Sequence, residues 1–287
     1  MSEQNTEIPG EVNPGETNPR ETNPRETYDA ADGRVLIFDG IHNFRDYGGY
    51  AADGGRLRRG VLWRSGHHRD ASEGDLARLD QIGLKTVFDL RGNSEREKHP
   101  CRRSAGFDAE VILFDGETAS GVAPHEEAAQ GEGPEENAHR RMRWVYRSIP
   151  FRPTLNTVLR QYYDVLATRD APSLVHCFAG KDRTGIAVWV LHRLLGVHPD
   201  DAMEDYLLTN TAGNNEARID AAIAAMRATG QEVDERRMRV VMGVAPEYLD
   251  VATGLLTERY GSVEAYAEAE LGVDKGKVER LRAMLVA

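Results

Sequence analysis

The sequence predicts an α/β fold with a central, mostly parallel sheet flanked by helices and a helical layer formed by the C-terminal third. Three observations lead there. Short apolar runs of strand length alternate with helical patterns from residue 34 onward. One such run, Ser173-Leu-Val-His176, passes through a tight loop directly into a helix start. The last third is dominated by helical patterning, with Gly196, Gly230, Gly243, Gly261 and Gly272 each placed where a helix can stop.

Taken in order, residues 1–33 form a polar tail. They repeat Glu-Thr-Asn-Pro-Arg and carry almost no large apolar side chain, so they cannot offset their ordering entropy and are expected to be disordered. The ordered domain is expected over 34–287. Val35–Phe38 reads as a first strand, the glycine-rich stretch 47–55 as turns, and Gly60–Arg64 as a second strand. Ser72 to about Ile82 reads as a helix, with Ser72 as N-cap and Asp75 three residues on in a looser form of the capping box. Leu84–Leu90 and Glu110–Phe114 are buried-type strands. Residues 115–143 interrupt the pattern with Gly, Ala, Glu and Pro and a basic cluster, His139 to Arg143. A connection this long is expected to be either a lid or a disordered insert. A helix from Pro153 to Thr168, the strand Ser173–His176, and a helix from Arg183 to Leu195 with an apolar face of Ile186, Val190, Leu191 and Leu194 complete the α/β part.

Bulk properties exclude several functions. No run approaches 18 apolar residues, so no stable membrane insertion is expected. The N-terminus has neither a basic nor an apolar region of a Sec signal, although export by another route stays open. The two cysteines, Cys101 and Cys177, make a poor disulfide framework and point to a reducing, cytoplasmic setting. The net charge of −11 argues against nucleic acid as a partner.

The chemistry concentrates in residues 176–185, His-Cys-Phe-Ala-Gly-Lys-Asp-Arg-Thr-Gly. A strand ends at His176, the loop Cys177-Phe178-Ala179-Gly180-Lys181-Asp182-Arg183 follows, and Thr184-Gly185 opens a helix. Unpaired N–H groups at a helix start, with loop amides curled inward, form an anion site. The same positive field favours a thiolate over a thiol at Cys177, and a thiolate can attack phosphorus. Arg183 offers a planar fork to two phosphate oxygens. Gly180 permits a turn that other residues resist. Thr184 can aim its hydroxyl at the sulfur. Cysteine followed six positions later by arginine is weak alone: about 0.2 chance matches are expected from two cysteines and 31 arginines, so the whole string carries the argument.

That string resembles the signature loop of the protein tyrosine phosphatase superfamily, and its Gly-Lys-Asp-Arg-Thr-Gly form resembles a bacterial branch of mycobacterial and listerial enzymes. Asn43-Phe-Arg-Asp-Tyr-Gly-Gly49, Trp63-Arg-Ser-Gly66, Phe88-Asp-Leu-Arg91 with Glu95, and Tyr248 to Tyr266 are similar too. The resemblance covers about 34–287. It implies hydrolysis of phosphotyrosine, often of phosphoserine or phosphothreonine, and sometimes of phosphoinositides, with neither cofactor nor metal. Cys177 would be the nucleophile, Arg183 the phosphate clamp, and residues 178–183 the cradle. The wider superfamily takes its general acid from a Trp-Pro-Asp loop. None exists here, since Trp63, Trp144 and Trp189 are followed by Arg, Val and Val. The bacterial branch has an Asp inside the loop, which makes Asp182 the leading acid, with Asp89 and Asp115 as alternatives.

Asp182 can instead stabilise the loop by hydrogen bonding, and Asp89 and Arg91 can form a strand-end ion pair. Gly180-Lys181 lacks the hydroxyl a nucleotide P-loop places after its lysine. His67 and His68 suggest an exposed loop rather than a metal site. Cys101 reads as an inert thiol, with a protective disulfide to Cys177 as the other reading. Two alternatives to a protein phosphatase remain: a phosphoinositide phosphatase, kept open by Lys181, and a phosphate-binding pseudophosphatase, which would have lost the nucleophile or the clamp.

Overall fold

A computed structural model describes residues 33–118, 135–212, 215–228, 230 and 232–287. The tail expected over 1–33 lies almost wholly outside the described residues, as does 119–134 of the expected insert.

Among the described residues, five strands form the main sheet: β1 (Arg45–Asp46), β4 (Leu62–Ser65), β5 (Thr86–Asp89), β6 (Glu110–Leu113) and β7 (Ser173–His176). Their order is β1-β4-β7-β5-β6, and β2 (Ala51–Ala52) and β3 (Gly55–Arg56) pair separately as a small hairpin. The four strands from β4 to β6 run parallel, and only β1 is antiparallel. The predicted mostly parallel sheet is therefore what forms. Of the predicted first strand, Val35 makes only an isolated bridge to Arg45.

Two-residue alternation decides what each strand residue touches. Trp63, Val87 and Leu174 pack with Phe38, Phe44 and Leu76 on one face. Their neighbours Leu62, Phe88 and Val175 join the larger core under the helices on the other. On the first face lies α1 (Glu73–Ile82), closed by the predicted capping box: Ser72 Oγ accepts from the Asp75 N–H, and Asp75 accepts from the Ser72 N–H. After β5 comes the short α2 (Asn93–Lys98).

Residues 135–143 correct the sequence expectation. They are not part of a loop but begin α3 (Glu135–Ser148), which buries Ala138, Met142, Val145 and Tyr146 in the main core. The helix was masked by charge: its apolar stripe is narrow and six of its fourteen residues are Arg or Glu. A 3₁₀ turn, Ile149–Phe151, joins it to α4 (Pro153–Leu166).

The C-terminal layer follows β7. It comprises α5 (Asp182–Leu194), α6 (Pro199–Leu207), α7 (Asn215–Ala228), α8 (Glu235–Met242), α9 (Pro246–Tyr260), α10 (Val263–Leu271) and α11 (Lys275–Leu285). Among the described residues, no single helix is long and apolar enough to cross a membrane. The sheet register sets Ser65, His176 and Asp89 side by side, so β4, β7 and β5 all end level with the start of the Cys177 loop.

Candidate active site

The loop after β7 is shaped by three consecutive carbonyls that are all tied to the scaffold. Phe178 O accepts from the His67 N–H at 2.9 Å. Ala179 O accepts from Asn43 Nδ2 at 3.3 Å. Gly180 O accepts from Asn43 Nδ2 and from Arg64 Nη2, both at 2.9 Å. In a trans peptide the N–H points opposite to the C=O. Tying these oxygens outward therefore turns the amides of Ala179, Gly180 and Lys181 to the other side, as an anion cradle requires. Gly180 sits at φ +68°, and a Cβ there would lie 2.2 Å from the Ser65 carbonyl oxygen. Only glycine fits between the loop and β4.

The residues doing this tying form a buried charge cluster. Arg45 and Arg64 both pair with Asp205 of α6, at 3.2 and 2.6 Å. Arg45 also donates to Asn43 Oδ1, which orients that amide toward the loop. Asn43 itself adopts a left-handed backbone, φ 57°, which asparagine tolerates better than most residues. Burial pushes the Asp205 carboxyl up, but Arg45 and Arg64 outweigh it and hold the group below the usual carboxylate range. Two strands and one helix thereby meet on a single loop peptide.

Cys177 is buried at the loop base. Arg183, in the first turn of α5, is held by Glu95 of α2 in a two-point ion pair, Nη1 at 2.6 Å and Nη2 at 2.7 Å. Its Nη1 also donates to Leu90 O and Thr118 Oγ1. Burial works against the Arg183 charge, but Glu95 outweighs it and fixes the cation. These contacts engage one edge of the guanidinium and leave Nε and the second Nη2 hydrogen for an anion.

Asp182 accepts a hydrogen bond from Tyr146 at 2.7 Å, and Tyr146 in turn accepts from Tyr206 at 2.7 Å. Lys181 departs from expectation. Its ammonium is buried and donates to the Val241 and Gly243 carbonyls, at 2.6 and 3.0 Å, so it ties the loop to the end of α8 rather than facing a ligand. Thr184 Oγ1 is buried without a hydrogen-bond partner among the described residues, so the predicted contact with the Cys177 sulfur is not formed here.

Behind the loop, Asp89 and Arg91 are an ion pair, with Nε at 2.8 Å and Nη2 at 2.7 Å from the carboxylate. Burial raises the Asp89 carboxyl, yet His176 and Arg91 together keep it below the ordinary range. Its two-point contact with Arg91 is the strand-end ion pair that was the other reading of this residue. Asp115 is exposed and accepts from Asn93. His67 and His68 are buried, not exposed: His68 bonds Ser65 and stacks on His176, and His67 packs edge-on against Phe178. Cys101 is partly exposed, and its sulfur accepts from Arg91 at 3.1 Å.

The structure thus brings together the predicted Cys177, Asp182 and Arg183. It adds Glu95, Asn43, Arg45, Arg64, Asp205 and Tyr146. Asn43, Arg45, Arg64 and Glu95 lie within motifs that stand out in the sequence only by resemblance, and Asp205 and Tyr146 carry no local signal.

Comparison with known proteins agrees with this geometry. Residues 36–287 match the family model described as the tyrosine phosphatase family. The triple specificity protein phosphatase PtpB of Mycobacterium tuberculosis is 32% identical over 278 residues, 88% of this chain and 99% of that protein. A relative from Cupriavidus necator is 33% identical over 243 residues, 83% of this chain and 85% of its own. A tyrosine-protein phosphatase of Nostoc commune is 24% identical over 221 residues, 75% and 70% of the two chains. The match spans the sheet, the loop after β7 and the whole helical layer, and on that extent the chain belongs to the tyrosine phosphatase family.

Proposed function

We propose that this chain hydrolyses phosphotyrosine, and with it phosphoserine or phosphothreonine, through a phosphocysteine formed on Cys177. One observation carries the reading: three successive loop carbonyls are tied outward around Cys177, while Glu95 holds Arg183 with a free edge of its guanidinium.

In the first step the Cys177 thiolate attacks phosphorus, forming the P–S bond as the P–O bond to the leaving group breaks. The amides of residues 178–183 and Arg183 hold the equatorial oxygens. Asp182 gives its proton to the departing oxygen. In the second step water attacks phosphorus, Asp182 takes a proton from it, and the sulfur departs as thiolate. Thr184, whose hydroxyl is unpaired, can turn to donate to that sulfur. His176 is neutral at physiological pH, because burial pushes it down to about 4.

The breadth of substrate rests on the relative named a triple specificity phosphatase. A lysine turned into the protein weakens the case for a phosphoinositide headgroup, which Lys181 alone had kept open. Both Cys177 and Arg183 are present, which separates the chain from a pseudophosphatase. Its two free cysteines suit a reducing cytoplasm.

The test is direct. Cys177→Ser should lose at least about a thousandfold in aryl phosphate turnover, and mass spectrometry of acid-quenched wild type should find one phosphoryl group on Cys177. Vanadate should compete with substrate, and EDTA should leave the rate unchanged. A Cys177→Ser protein with wild-type turnover, or phosphorylation at another residue, overturns the reading.

A further inference from the structure

Behind the Cys177 loop three side chains of ligand type converge: Asp89 at the end of β5, His176 at the end of β7, and Cys101 in the segment between α2 and β6. One oxygen, one nitrogen and the sulfur lie within 4.8 Å of one another. The reaction above routes no step through these atoms. Asp89 and His176 are register partners in adjacent parallel strands, so their side chains leave the same face of the sheet. Both are buried, whereas Cys101 is half-buried and gives the cluster an edge toward solvent.

His176 presents a bare ligand atom. Its Nδ1 faces the Cys177 carbonyl oxygen at 3.2 Å. A carbonyl only accepts, so Nδ1 holds the proton, and in the neutral ring Nε2 is left with a lone pair. That nitrogen is buried and has no hydrogen-bond partner among the described residues. It faces Asp89 Oδ2, a second lone-pair atom, at 3.8 Å. An imidazole whose Nδ1–H is fixed by a backbone carbonyl and whose Nε2 is free is the form that ligates a metal.

The other two ligands are oriented from outside the cluster. Asp89 Oδ1 accepts from the Arg91 N–H and Nε, at 3.1 and 2.8 Å, whereas Oδ2 takes one bond, from Arg91 Nη2 at 2.7 Å. Cys101 Sγ accepts from Arg91 Nη2 at 3.1 Å and from the His68 N–H at 3.4 Å. Two N–H donors aimed at one sulfur match the surroundings of a metal-bound thiolate. Arg91 does not fill the site. It engages one lone pair each on Oδ2 and Sγ, and its Nη1 is anchored on the His99 carbonyl at 2.7 Å. It thus orients both anionic ligands and offsets their charge. A tetrahedral zinc ion with its usual bond lengths separates N, O and S ligands by roughly 3.3–3.8 Å. The 3.8 Å between His176 and Asp89 already suits it, and Cys101 has to close by roughly 1 Å.

We propose that Asp89, Cys101 and His176 form a binding site for one zinc-class divalent cation, which fastens β5, β7 and the segment after α2 together beneath the nucleophile loop. One thiolate, one imidazole and one carboxylate suit zinc and disfavour magnesium and calcium, which seek oxygen ligands. Binding forms the metal–sulfur bond as the Cys101 S–H breaks, its proton passes to solvent, and the fourth position of the ion takes water. The site is independent of the phosphatase reading, because no step of hydrolysis runs through the ion. EDTA is therefore still expected to leave the aryl phosphate rate unchanged.

The test uses the full chain carrying Cys177→Ser, so that the nucleophile cannot hold the metal and Cys101 is the one remaining thiol. Stripped with a chelator and titrated with Zn²⁺ under reducing conditions, this protein should bind one equivalent with a Kd of about 1 μM or tighter. Zn²⁺ in about hundredfold excess over Kd should raise the melting temperature by about 5 °C, and Mg²⁺ at the same concentration should not. Zn²⁺ should also slow alkylation of Cys101 by at least about tenfold, since a ligated thiolate is no longer free to react. Co²⁺ in place of Zn²⁺ should give a sulfur-to-metal charge-transfer band. Adding Cys101→Ser should remove that band and weaken Zn²⁺ binding by at least about 100-fold, while the metal-free melting temperature reports that the variant is folded. Failure of the Cys177→Ser protein to bind Zn²⁺ overturns the inference. So does an affinity that Cys101→Ser leaves unchanged, a cobalt complex without the sulfur band, or alkylation that Zn²⁺ does not slow. None of these outcomes touches the phosphatase reading, which is judged by turnover.

Discussion

The guanidinium of Arg64 lies in the middle of β4 yet donates to the carbonyl of Gly180, 2.9 Å away in the loop after β7. The same side chain pairs with Asp205 at 2.6 Å. One buried cation thereby connects the sheet, α6 and the loop that holds Cys177, and it orients a peptide whose N–H is turned to the opposite side of the loop.

Lysine at this position keeps the charge but not the fork. Arg64→Lys can reach Asp205 or Gly180 O, not both in plane. We expect a loss of about 2–4 kcal/mol in unfolding free energy, measured by urea denaturation. At temperatures where the variant stays folded, kcat for an aryl phosphate should fall by about 10- to 100-fold through misplacement of the loop amides. Unaltered kcat in a folded variant would show that the loop holds its shape without Arg64.

Gly180 offers a cleaner contrast, because Gly83 provides a control. Both have left-handed backbones, φ +68° and +70°, but a Cβ at Gly83 meets nothing within 4 Å while one at Gly180 meets the Ser65 carbonyl at 2.2 Å. Gly83→Ala should cost about 1 kcal/mol in stability and leave turnover alone. Gly180→Ala should cost more and lower kcat by about a hundredfold or more, since the loop must move off β4. Equal effects of the two substitutions on kcat would contradict the close approach.

These contacts also explain which parts were legible in the sequence. The loop from His176 to Gly185 was readable because its chemistry is contiguous: strand, thiol, glycine, arginine and helix start follow one another within ten residues. Strands β5 and β7 were readable because both faces are covered, which makes Val87-Phe88 and Leu174-Val175 continuously apolar, whereas β6, expected to be buried, is an edge strand with Val111 and Leu113 exposed. The cluster of Asn43, Arg45, Arg64 and Asp205 was not readable as a unit. Its members are up to 162 positions apart, and nothing local distinguishes Asp205 from other helical acids. α3 was lost for a different reason: helix propensity and a narrow stripe were outweighed by its charge. The burial of His67 and His68 is not legible in the sequence, because burial of a polar ring depends on a partner, here Ser65 and Phe178, that only the fold supplies.

Those buried histidines set a pH dependence of stability. Burial holds His176 down to about 4 and His67 to about 3, and it keeps His68 well below its ordinary value. In the unfolded chain each would titrate near about 6.5. A lowered folded value means that the unfolded state binds more protons between the two, so stability is fully present above about 6.5 and is lost as pH falls toward 4. Each histidine contributes a slope of about 1.4 kcal/mol per pH unit in that window. Urea midpoints should therefore drop steeply between about pH 7 and pH 5, and His68→Gln should flatten the profile even if it lowers the midpoint. A wild-type midpoint that is constant over this range would mean that the rings are not buried as described.

The last prediction concerns the proton donor. Asp182 sits in the first turn of α5, where a carboxylate also suits the helix dipole, so a structural role is the natural competitor. The two roles differ in what they do to the leaving group. An acid matters most when the departing oxygen is basic, as in an alkyl or unsubstituted phenyl phosphate, and least when it leaves readily, as in a nitrophenyl phosphate. Asp182→Asn should therefore cost about 10²- to 10³-fold in kcat on the poor leaving groups and about tenfold or less on the good one. The hydrogen bond from Tyr146, itself held by Tyr206, fixes the direction of the carboxylate. Tyr146→Phe should reproduce the same leaving-group pattern at reduced amplitude, because it frees the carboxylate without removing it. A purely structural Asp182 would lower every substrate by the same factor. In that case the role passes to Asp115, since Asp89 is locked with Arg91, and Asp115→Asn would then show the selective loss on poor leaving groups.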